Sequence, residues 1–127
     1  NHGLAYTVRG SIEREKNYSY YSIYAGTTKE AIDKVKSLII QGINDVEKMS
    51  EKELEESKQR LIGIRRVATE ESLNAMQRLI FEEISTGKAE DYYKYDGKIK
   101  SVKLGEVKEL AKEIVKNYSV AILKPKK

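Results

Sequence analysis

The hydrophobic period of this chain changes at Thr27. Ahead of it, apolar and polar residues alternate; behind it, apolar residues recur every three or four positions as far as Asn117, and only residues 119–123 return to alternation. Alternation belongs to half-buried strands and the three-four spacing to amphipathic helices, so the two kinds of element are segregated along the chain. The pattern predicts an α+β fold, a mainly antiparallel sheet with helices on one face, in the order β-β-α-α-α-(α)-α-β. At 127 residues a second independent core does not fit, and residues 1–127 read as a single domain.

In the first strand Leu4, Tyr6 and Val8 alternate with Ala5, Thr7 and Arg9. In the second, residues 18–25 place Tyr18, Tyr20, Ser22 and Tyr24 on one face and Ser19, Tyr21, Ile23 and Ala25 on the other. The charged connection at 13–17 is short enough for an antiparallel hairpin. Thr27-Thr28-Lys29-Glu30 and Ser50-Glu51-Lys52-Glu53 both read as capping boxes opening helices. The first helix carries Ala31, Ile32, Val35, Leu38, Ile39, Ile43 and Val46 as one stripe, and the second has Leu54, Leu61 and Ile64 as its expected inner face. The phase slips between Arg65 and Glu71, so a break is expected near 67–69. A third helix follows with Leu73, Met76, Ile80 and Ile84 inward and Gly87 as its stop. A short helix at 89–100 and a longer one at 102–117 come next, and a final strand at 119–123 needs an earlier partner.

Three strands cannot cover the apolar surface of that many helices. Either further strands lie outside this chain or another subunit supplies them, and such a piece is expected to self-associate through sheet edges or exchanged strands.

Composition removes several classes of function. No apolar run approaches the roughly 20 residues of a membrane span. The absence of Cys removes thiol nucleophiles, disulfides and thiolate zinc sites, and the one His, His2, stands without a second or third ligand nearby. No metal site is expected in this chain. The 24 basic residues are interspersed with 20 acidic ones, so the net charge of +4 forms no single-sign stripe for nucleic acid despite nine Tyr. Glu51, Glu53, Glu55 and Glu56 alternate with Lys52, Lys58 and Arg60 as an exposed, ion-paired helix face rather than an acid-chemistry site. No secretory leader is visible, which makes the cytoplasm the expected compartment. The Lys-, Glu- and Ile-rich, Cys-free composition suits a heat-adapted organism. No phosphate loop, nucleophile elbow or zinc-binding helix occurs, and by composition and spacing Tyr6 reads as a strand tyrosine with a packed ring.

Five segments in order, NHGLAYTV, YSIYAGT, MSEKELEESKQRLIG, SVKLGEVKELAKEIV and VAILKP, resemble the pitrilysin (insulinase-like) family of zinc metallopeptidases over nearly the whole chain. The resemblance implies the later part of the second, non-catalytic domain, of the mitochondrial-processing-peptidase-like type. Catalytic members pair two homologous α+β domains around a chamber for peptide or unfolded substrates, with zinc held by an H-x-x-E-H helix in the first domain. That helix is absent from this chain, so zinc and the catalytic domain are implied partners in the same or another chain.

The resemblance further implies a site role for Tyr6, which matches the Tyr of the family's G-L-x-Y segment. That Tyr hydrogen-bonds the scissile carbonyl, with Gly3 and Leu4 as positional supports. The family's Arg partner, seven positions earlier, falls upstream of Asn1. Asn17-Tyr18-Ser19 stands where many relatives have a Gly before the second strand. The family also contains subunits without zinc ligands that act as docking or peptide-binding partners, so the sequence leaves two readings: chamber wall of a zinc endopeptidase, or pseudo-peptidase module. On either, the chain alone is expected to be inactive.

Overall fold

Strand β1, Ala5–Arg14, and strand β2, Ser19–Thr27, form an antiparallel hairpin in the computed structural model of the chain, which describes residues 4–124. Helices α1 (Ile32–Asn44), α2 (Glu51–Ala68), α3 (Ser72–Thr86), α4 (Tyr95–Ser101) and α5 (Leu104–Lys116) follow. The fold class is α+β, as the change of period predicts. The described residues fall into two compact units, one built from the strands, Tyr18–Lys48 and the chain from Lys108 on, the other from Glu15–Asn17 and Met49–Val107.

In the first unit the hairpin register pairs Val8 with Ala25, Gly10 with Ile23 and Ile12 with Tyr21 on one face. Arg9 with Tyr24, Ser11 with Ser22 and Glu13 with Tyr20 share the other. The first face is apolar and the second polar, and the Ser11 and Ser22 hydroxyls bond across it at 2.8 Å. Tyr21 lies over Gly10 so closely that a Cβ there would stand 2.7 Å from the phenol oxygen. The ring thus covers backbone that a side chain would otherwise shield.

The box expected at Thr27–Glu30 does not form. Thr27 is still the last residue of β2, opposite Ala5, and its hydroxyl reaches across the hairpin to the Leu4 carbonyl instead of forward along the chain. The helix is entered through a single 3₁₀ turn, Lys29–Ala31, without a side-chain cap. In α1, Val35 is buried and Ile32, Leu38, Ile39 and Ile43 are half-buried, so the expected stripe is the inward one. Ala111 of α5 is buried as well, and Lys112 pairs with Glu47 at 3.1 Å.

In the second unit the Ser50–Glu53 box closes both ways: the Glu53 N–H donates to Ser50 Oγ at 3.3 Å, and the Ser50 N–H donates to Glu53 Oε2 at 2.8 Å. Leu54, Lys58 and Ile62 are the buried residues of α2, whereas Leu61 and Ile64 are exposed. The inward face is therefore rotated from the expected one. Lys58 also leaves the solvated face assigned to it; its ammonium donates to Glu55 Oε1 at 2.6 Å and to the Lys100 carbonyl at 3.2 Å while its methylenes lie in the interior.

The helical break falls after Ala68, where Thr69 N–H and Oγ1 both return to the carbonyls of the last turn of α2. Gly87 ends α3 at φ 70°, a left-handed conformation that favours glycine. That turn folds the 3₁₀ segment Ala89–Lys94 back on α3 and so selects which face of α3 is covered. The covered face carries buried Glu82 and half-buried Ala75 and Leu79; the expected inner residues Leu73, Met76, Ile80 and Ile84 are between 49% and 62% exposed.

Residues 118–124 form neither helix nor strand, so the expected third strand is not made. A strand exists only against a partner, and the described sheet consists of β1 and β2 paired with each other. Val120, Ile122 and Leu123 are exposed as a result.

Candidate functional site

Tyr6 occupies an irregularity in the hairpin ladder. Ala5 pairs with Thr27 and Thr7 with Gly26, so two steps along β1 answer one step along β2 and Tyr6 is the extra residue. An inserted residue of this kind is left out of the pairing, bends its strand and re-aims its side chain. The ring is 81% exposed, which corrects the expectation of a packed strand tyrosine.

Two neighbours hold the bulge. Leu4, half-buried, gives its carbonyl to the Thr27 hydroxyl, which ties the strand immediately before Tyr6 to the end of β2. After Tyr6, Thr7 approaches Gly26 so closely that a Cβ there would stand 3.2 Å from Thr7 Cγ2. Gly3 and His2 lie outside the described residues. Alternation alone does not disclose the bulge; the available signal is Gly26 inside a strand pattern, a residue that often marks a bulge or close backbone approach.

Chemically, an exposed phenol on a re-aimed strand residue can donate one hydrogen bond to an oxygen of an approaching molecule. Among the described residues no group of three or more His, Cys, Asp or Glu is placed to hold a metal ion. No helix of the described residues is long and apolar enough to cross a membrane.

A second polar cluster lies in the other unit. The Arg65 guanidinium stands 4.0 Å from the Tyr95 ring centroid and 4.8 Å from that of Tyr92, and donates to the Tyr92 carbonyl at 3.1 Å. Burial is the main influence lowering the pKa of Arg65, with Arg78 adding to it and Tyr92, Tyr95 and Glu82 opposing it. Nearby, Asp91 is held below the usual carboxylate range, first by the hydrogen bond from Lys94 at 2.6 Å. These contacts fasten the segment after Gly87 to α2 and to itself. They are structural.

Residues 1–61 match the family model described as the Peptidase M16 inactive domain. No curated protein matches the chain. The matched stretch contains both strands, the bulge at Tyr6, the Thr27–Leu4 bond, α1 and the capped start of α2. Two of the segments that carry the pitrilysin resemblance lie wholly within it and a third begins in it. Over these residues, just under half of the chain, the sequence is similar to the M16 inactive domain, the non-catalytic C-terminal domain type of the pitrilysin peptidases.

Proposed function

We propose that this chain is part of the non-catalytic domain of a zinc-dependent metalloendopeptidase, where it forms one wall of the substrate chamber and presents Tyr6 to the scissile bond. The supporting observation is the coincidence of three features at one residue: the family match, the strand bulge and an unobstructed phenol. The Tyr6 hydroxyl donates to the scissile carbonyl oxygen and more strongly to the oxyanion that develops from it, because the acceptor gains charge as the bond is attacked. The metal and the residues that bind it belong to a catalytic partner domain, in the same or another chain. The substrate is a peptide or unfolded protein.

Replacing Tyr6 by Phe in the full-length protein tests this. Loss of one donor to a developing oxyanion lowers kcat on the order of 10²–10³-fold. Circular dichroism should be unchanged, because the ring is exposed. Unchanged turnover removes Tyr6 from the mechanism. Chelator-sensitive cleavage of unfolded peptides by the isolated chain would overturn the assignment of the metal to another domain.

The exposed apolar residues of α3 favour a second reading, a pseudo-peptidase subunit that docks on a catalytic chain without chemistry of its own. An H-x-x-E-H motif in the same open reading frame supports the enzyme, and its absence supports the docking module.

A further inference from the structure

Gly26 has no backbone reason to be a glycine. Among the described residues the glycine with a left-handed φ is Gly87, whereas Gly26 pairs with Thr7 as an ordinary member of β2. Glycine inside a strand weakens it, because the unfolded chain gains freedom and no side chain packs. What the position offers is room. A Cβ there would stand 3.2 Å from Thr7 Cγ2 and 3.7 Å from the Tyr24 phenol oxygen. The second distance is an ordinary contact; the first is shorter than the roughly 3.5–4.0 Å at which carbon atoms attract one another.

The residue that would have to retreat is the one that follows the bulge. Thr7 is half-buried, and its β-branched side chain has few rotamers to retreat into, so crowding there passes to the backbone it shares with Tyr6. Gly10 offers the contrast. A Cβ there would stand 2.7 Å from the Tyr21 phenol oxygen, nearer than anything at Gly26, yet that oxygen ends a long, half-exposed side chain that can swing aside. Gly10 also lies in the regular part of the ladder, opposite Ile23, and not at the bulge.

We propose that Gly26 is a positioning residue for the reaction: its bare Cα lets Thr7 close on β2 and so fixes the direction in which the bulge presents the Tyr6 phenol to the scissile carbonyl. The role rests on the peptidase reading of Tyr6. It adds a second hold on the bulge, after Tyr6, to the Thr27–Leu4 bond that stands before it. Gly26 itself touches no substrate; it acts through Thr7 on the residue that does.

Turnover of an unstructured, fluorescence-quenched peptide by the full-length protein tests the proposal. Gly26→Ala should fold with a melting temperature close to wild type, because a less free unfolded chain offsets the crowding. Its kcat should fall several-fold with KM little changed, less than the loss on the order of 10²-fold that a misplacement of about 1 Å brings. Thr7→Ser removes Cγ2 and makes room, so Gly26→Ala/Thr7→Ser should recover most of the lost turnover. Gly10→Ala should leave kcat unchanged. In a Tyr6→Phe background Gly26→Ala should cost nothing further, since no phenol is left to aim. Tyrosine-selective ¹³C labelling gives a readout apart from turnover: the Tyr6 ring signals should move in Gly26→Ala and return in the double variant. Unchanged turnover or stationary Tyr6 signals in Gly26→Ala, no recovery in the double variant, or an equal loss in Gly10→Ala overturns the role of Gly26 and leaves Tyr6 to its own test. So does a Gly26→Ala protein that fails to fold, or one that loses as much in the Tyr6→Phe background. Turnover that does not respond to Tyr6→Phe removes the peptidase reading instead, and the role of Gly26 with it.

Discussion

The Thr27 hydroxyl donates a hydrogen bond to the Leu4 carbonyl, joining residues 23 apart in sequence at the open end of the hairpin. The bond stands at the last ladder pair before the bulge, where Ala5 meets Thr27, and it therefore restrains the backbone from which the Tyr6 side chain departs. A threonine read as a helix cap serves the strand instead.

Replacing Thr27 by Val keeps the shape and removes the donor. The loss should destabilise the chain by about 1 kcal/mol, the net worth of a typical intramolecular hydrogen bond. In the full-length protein kcat should fall while KM changes little, because the phenol is displaced rather than removed. Urea unfolding and steady-state kinetics read the two effects; unchanged kinetics would show that the bulge holds its position without Thr27.

The capping box makes the start of α2 sensitive to acid. Hydrogen bonds from the Ser50 N–H, and then from its hydroxyl, hold the Glu53 carboxyl below its ordinary value of 4.5. With the folded value depressed, the contribution to stability is fully present above pH 4.5 and is lost as pH falls through the lower folded value. Ser50→Ala removes the hydroxyl and keeps the backbone N–H, so it should weaken that part of the pH dependence without abolishing it, and cost about 1 kcal/mol at neutral pH. Denaturation midpoints of both chains across the acid range provide the check; parallel curves would exclude a part for the hydroxyl.

The Arg65 guanidinium lies over the rings of Tyr92 and Tyr95 and also donates to the Tyr92 carbonyl, a combination suited to a delocalised group with several donors. Arg65→Lys keeps the charge and should still lose on the order of 1 kcal/mol, within the range of a partly desolvated cation–π contact. Tyrosine fluorescence follows the unfolding because the chain has no Trp. Full stability in the lysine variant would mean that charge, not stacking, holds the segment.

Gly87 closes α3 with φ at 70°, and nothing lies within 4 Å of the position a Cβ would take. Space is therefore not the constraint; backbone conformation is. Gly87→Ala should destabilise by roughly 1–2 kcal/mol and Gly87→Asn by less, because Asn tolerates the left-handed region better. Equal losses for the two variants in chemical denaturation would contradict that account.

Elements whose determinants lie within one helical turn were legible in the residues. Ser50 and Glu53 are three apart, and their mutual bonds form wherever a helix starts at Glu51. Gly87 stops α3 through its own backbone. The phase slip between Arg65 and Glu71 marks the break between α2 and α3, and the change of period at Thr27 separates strands from helices. The alternating faces of β2 follow from simple periodicity.

What depended on distant parts of the chain was not legible. Periodicity says that α3 has an apolar stripe, yet Leu73, Met76, Ile80 and Ile84 face outward because the turn at Gly87 brings Ala89–Lys94 against the face bearing Glu82. The same holds for Lys58, buried where its charge predicted exposure, and for residues 119–123, whose alternation calls for a strand that no described edge receives. Local hydrogen bonding and backbone preference act over a few residues and are written in the order of the amino acids. The strand register that leaves Tyr6 unpaired, the partner of Thr27 and the buried side of each helix arise from contacts between remote segments, and only the folded chain brings those together.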